Sequence, residues 1–100
     1  MAFHILLSEE AETELDELRP FDQRKVVEAM KAQLSDEPTK ATRNRKCLPG
    51  LKPSFAHEPP LWEVRVGGLR VFYDVDEDNH QVHVRAIRRK SPGQTTEDIV

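Results

Sequence analysis

The chain has 100 residues, a formal net charge of −3, and hydrophobic and charged fractions of 37% and 33%. That length suits one modest core rather than two, and no apolar run approaches the length needed to cross a membrane. A single cysteine, Cys47, excludes an internal disulfide and a cysteine-built zinc cage.

Ala2 to Leu7 reads as a short strand. Ser8 is a good helix N-cap, with Glu9 and Glu10 suited to the positive end of the helix dipole. Ala11, Leu15 and Leu18 recur at helical spacing, and Pro20 is expected to close that helix. Asp22 is expected to cap a second helix with Phe21 as its hydrophobic staple and Val26, Val27, Met30 and Leu34 as its apolar stripe. Residues 39–60, TKATRNRKCLPGLKPSFAHEPP, keep no period and read as a connection with a short strand near Cys47 to Leu51.

LWEVRVGGLRVFYDVD, from Leu61 to Asp76, alternates apolar with other residues on both sides of Gly67-Gly68, the pattern of a half-buried hairpin. A two-residue turn sets Val66 against Leu69, Arg65 against Arg70, Val64 against Val71 and Trp62 against Tyr73. A last strand starts at Val82, and SPGQTTEDIV reads as a polar, loosely held tail over residues 91–100. The fold expected is α+β: β-α-α-β-β-β over residues 1–90, a small antiparallel sheet with a helical hairpin packed on one face.

Alternation divides the sheet residues into two sets. Trp62, Val64, Val66, Leu69, Val71, Tyr73 and Val75 face the helices. Glu63, Arg65, Arg70, Phe72 and Asp74 face away, joined by His83, Arg85 and Ile87, with Arg89 at the end. Charge sharpens this picture. Acids dominate residues 1–38. Lys40, Arg43, Arg45, Lys46, Lys52, Arg65 and Arg70 dominate residues 39–73, and Arg85, Arg88, Arg89 and Lys90 close the last strand. An acidic helical front and a basic back allow a polyanion to bind despite the negative total.

Arg65 opposite Arg70 is repulsive in isolation, yet two guanidinium groups a strand apart suit a phosphodiester. The plainer reading is that Glu63 and Asp74 neutralise them on a solvated face. Phe72 on that face is a candidate base-stacking residue, whereas Trp62 and Tyr73 belong to the core. The histidines His4, His57, His80 and His83 show no metal-ligand spacing, so no metal or other cofactor is expected.

WEVRVGGLRVFYDVD followed by VHVRAIRRK resembles the RelE/ParE superfamily of toxins from bacterial type II toxin–antitoxin systems. LPGLK and the preceding strand and two charged helices match it as well. The lone Cys47 fits a reducing cytoplasm, and the resemblance implies a toxin that forms a hetero-oligomer with a cognate antitoxin. In the RelE branch it implies ribosome-dependent cleavage of mRNA without a metal. There Arg65, Arg70 and Lys90 are the catalytic cations, with Glu63 as the carboxylate beside them. Arg85, Arg89, Lys46, Lys52 and Phe72 are the expected RNA- and phosphate-binding residues. Glu63 stands where that branch carries a lysine, and the tail lacks its terminal tyrosine or histidine. The ParE branch, which inhibits DNA gyrase without chemistry of its own, and a non-toxic antitoxin-binding relative are the alternatives.

Overall fold

In a computed structural model, which describes residues 2–100, β1 (His4–Leu7) leads into α1 (Glu9–Asp16) and α2 (Pro20–Leu34). Four further strands follow, β2 (Arg45–Leu48), β3 (Leu61–Val66), β4 (Leu69–Asp76) and β5 (Gln81–Arg89), and then a short α3 (Thr96–Ile99). The strands form one sheet in the order β1-β5-β4-β3-β2. β1 runs parallel to β5 and all other pairs are antiparallel, so the sheet is mixed rather than purely antiparallel. Among the described residues no helix is long and apolar enough to cross a membrane.

Ser8 caps α1 as its sequence suggests, its hydroxyl accepting from the Ala11 amide at 3.1 Å. Pro20 does not close α1. It opens α2 at the first helical position, where its fixed φ is already helical and its missing N–H is not needed. Asp22 therefore lies inside the first turn of α2, and Phe21 is no staple but stands 59% exposed. Val26, Met30 and Leu34 are buried as the stripe requires. They pack with Ala11 of α1 on Trp62, Val64, Val71, Tyr73, Val82 and Val84. The Tyr73 hydroxyl donates to the Pro38 carbonyl at 2.7 Å, which ties the chain after α2 to the sheet, and burial pushes this phenol's pKa up.

The hairpin register is the one that Gly67-Gly68 dictates, with Gly67 at a φ of 59°. One strand further on, a β-bulge intervenes. Phe72 pairs with Ala86 and Tyr73 with Val84, so β5 carries Arg85 as an extra residue. Beyond that bulge the alternation is inverted. Ile87 and Arg89, expected on the face away from the helices, turn toward them, while Ala86 and Arg88 take their places.

A second, smaller core fills that other face. Phe55 from the long connection, Leu61, Phe72, Ala86 and Ile99 are all buried together. The C-terminal segment is thus not loose. The Asp98 carboxylate accepts from the Thr95 amide at 2.8 Å to start α3, and Ile99 closes over Phe72.

Candidate phosphate-binding face and family membership

Register places three arginines in a row across neighbouring strands: Arg65 of β3, Arg70 of β4 and Arg88 of β5. Each meets the repulsion differently. Arg70 donates to the Gly67 and Leu69 carbonyls, both at 2.9 Å, and its Nε lies 3.8 Å from Glu63. Arg88 is held by Glu10 and Glu14 of α1 at 2.6 Å each, donates to the Ile99 carbonyl at 3.0 Å, and lies over the Phe55 ring. Arg65 is exposed and has no acidic partner among the described residues.

Glu63 is the hub of the remaining contacts. It is only 5% exposed, because it sits on a central strand beneath α3. Lys46 of the adjacent β2 approaches it at 3.6 Å, Arg70 at 3.8 Å, and the Thr96 hydroxyl donates to it at 3.3 Å. A buried carboxylate needs such donors to offset its desolvation. Glu63 is thereby committed to its own neighbours.

Glu14 serves a comparable purpose at the sheet edge. One oxygen accepts from the Ile87 amide at 2.9 Å and the other pairs with Arg88. Burial raises its pKa, and the Ile87 amide and Arg88 oppose that rise.

The other expected site residues are dispersed. Arg85 is not a free cation: its Nε and Nη2 donate to Asp74 at 2.7 and 3.1 Å, and Asp74, 2% exposed, also accepts from the Glu58 amide at 3.0 Å. Its guanidinium neutralises a buried carboxylate. Phe72 is completely buried under Phe55 and Ile99, so it offers no surface to a base. Arg89 leaves this face through the bulge and meets Asp22 of α2 at 3.4 Å. Lys52 is exposed beside Lys46 along the β2 edge. Lys90, half-buried, follows β5 with its amide bonded to the Gly68 carbonyl at 2.9 Å, and has no acidic partner among the described residues. Among these residues no His, Cys, Asp and Glu cluster is arranged to hold a metal.

Three contributors escaped sequence reading: Arg88, Thr96 and Ile99. Arg88 could not be told from Arg89 without the bulge. The tail did carry a signal, because T-T-E-D before Ile99-Val100 is a capping-box pattern ahead of an apolar pair.

A sequence-family profile described as the ParE toxin of the type II toxin–antitoxin system parDE matches residues 5–91, nearly the whole span of sheet and helices. The chain belongs to the ParE toxin family. It is a toxin of a type II toxin–antitoxin system. None of the curated proteins compared with it matches. Among solved structures, the fold is similar to that in an archaeal RelE–RelB complex from Pyrococcus horikoshii OT3, with a TM-score of 0.72 and 18% identity over 93% of this chain and 100% of that one. It is also similar to that in the toxin–antitoxin complex RelBE2 from Mycobacterium tuberculosis, with a TM-score of 0.69 and 22% identity over 90% and 93% of the two chains. The RelE-like architecture expected from the hairpin and helices is therefore the one the toxin adopts.

Proposed function

We propose that this toxin acts by binding a protein target, as a ParE-type inhibitor of DNA gyrase, and that an acidic antitoxin neutralises it. The observation that carries this reading is the internal pairing of the basic face. Lys46 and Arg70 converge on Glu63, Arg85 on Asp74, and Arg88 on Glu10 and Glu14. A nuclease needs cations free to meet a phosphate and a base free to take a proton. On this face the toxin's own carboxylates engage Lys46, Arg70, Arg85 and Arg88, and α3 covers Phe72. A binding protein needs neither group free.

The antitoxin follows from two supports. The similar solved folds are toxins in complex with antitoxins. The sheet also leaves two edges, β1 and β2, where a partner segment can add a strand.

Ribosome-dependent cleavage of mRNA is the second reading. It is favoured by Arg65, opposite Arg70, and by Lys90 after β5, neither with an acidic partner among the described residues, and it would use Glu63 once Lys46 or Thr96 released it. One paired experiment separates the two. Wild type and Arg70→Ala are added to a gyrase supercoiling reaction and to ribosomes stalled on a defined message. Loss of supercoiling with an intact message is expected for both proteins. Cuts at the decoding site that vanish in Arg70→Ala would overturn the gyrase reading in favour of the nuclease. Co-expression with the product of the adjacent gene tests the antitoxin, which is expected to co-purify as a hetero-oligomer.

A further inference from the structure

Phe21 and Leu6 are the large apolar side chains left in water among the described residues, at 59% and 43% exposure. One exposed phenylalanine is unremarkable by itself. Its surroundings are not. The Lys25 Nζ lies 5.6 Å from the centre of the Phe21 ring, and it also lies 3.4 Å from where a Cβ on Gly67 would stand. Arg89, diverted to this side by the bulge, brings Nη1 within 3.8 Å of the corresponding position on Gly68. Asp22 is the acid at this end, and it is shared by Arg19 at 3.5 Å and Arg89 at 3.4 Å, so positive charge remains in excess.

The result is a basic patch. The ends of Lys25 and Arg89 lie against the bare backbone of the glycine turn, and the exposed Phe21 ring stands alongside Lys25. The opposite end of the sheet, at the β4–β5 turn, carries Asp76, Glu77 and Asp78 close to Glu58. The charge is therefore polarised along the strands, an arrangement that steers an anionic chain to the glycine turn.

We propose that this end binds single-stranded nucleic acid, with Lys25 and Arg89 on the phosphates and Phe21 as the platform for a base. Cations that follow a backbone beside an exposed ring are what such binding requires. A duplex keeps its bases stacked away from an open surface, and an acidic polypeptide offers no flat base to the ring. The patch lies on the helix side of the sheet, away from Glu63. It is independent of the target proposed above.

The test is fluorescence anisotropy of the full-length protein with a labelled oligothymidylate of about 12 nucleotides, within the ~4–16 that such surfaces track. DNA lacks the 2′-hydroxyl, so cleavage cannot confuse the reading. Two phosphate contacts predict a slope of log affinity against log salt near about −1.4. Lys25→Glu is expected to weaken binding at least about tenfold and to flatten that slope. Phe21→Ala, and an abasic oligomer on the wild type, should each lose about fivefold or more. Lys31→Glu, further along α2, makes the same charge change outside the patch and should stay within about twofold. Circular dichroism checks that each variant is folded. Equal binding of thymidylate and abasic oligomers, or of a polyglutamate of matched charge, would overturn the proposal, as would equal losses from Lys25→Glu and Lys31→Glu or no binding in about 50 mM salt.

Discussion

Replacing Arg85 with alanine puts two roles in direct competition. If Arg85 served nucleic acid, its loss would leave the fold unaffected. The geometry instead makes it the counter-charge of Asp74, which is 2% exposed and would keep only the Glu58 amide as a donor. Removing one partner of a buried pair costs about 3–5 kcal/mol. The Arg85 side chain is 21% exposed, so water can reach part of the vacated space, and we take about 3 kcal/mol. For a domain of this size that lowers Tm by roughly 12–24 °C. The assay is urea and thermal unfolding of wild type, Arg85→Ala, Asp74→Ala and the double variant. The double variant should recover much of the loss, with a coupling energy of about 2 kcal/mol, because no carboxylate is then left buried and unpaired. A stability change below about 0.5 kcal/mol for Arg85→Ala, the range of ordinary surface substitutions, would refute the reasoning.

Three further outcomes are expected. Ile99→Ala should cost about 2 kcal/mol by uncovering Phe72 and Phe55, read as a lower urea midpoint; an unchanged midpoint would mean that α3 does not hold to the sheet. Tyr73→Phe leaves the Pro38 carbonyl without its donor and should cost about 1–2 kcal/mol in the same measurement. Glu14 has a folded pKa raised above its ordinary value of 4.5, so the folded state holds the proton more tightly than the unfolded one. Its contribution therefore weakens the fold as pH rises from 4.5 through the raised value. The stability of wild type relative to Glu14→Gln should fall across that window, and a relative rise would contradict the burial argument.

The identity of this toxin was legible from a short part of its chain. Gly67-Gly68 dictates the hairpin register by local backbone geometry, and alternation on either side then assigns every residue of β3 and β4 to its face. The Ser8 cap and the Val26, Met30 and Leu34 stripe are equally local, since capping and helical period act within a few residues. Pro20 was ambiguous for a local reason: the same ring that ends one helix can begin the next.

The state of the basic face was not local. The bulge at Arg85 has no signature in VHVRAIRRK, and it exchanges Ile87 and Arg89 for Ala86 and Arg88 on one side of the sheet. Asp74 is 11 residues from Arg85, and Thr96 is 33 residues from Glu63. Side chains so far apart in sequence meet only after the sheet has formed, where burial of a carboxylate requires a cation and burial of Phe72 requires a cover. Sequence alone thus determined which cations and carboxylates this toxin carries and most of the strand on which each stands. Tertiary structure decided which of them remain free to meet another molecule, because pairing inside a folded protein depends on distance through space and on access of water.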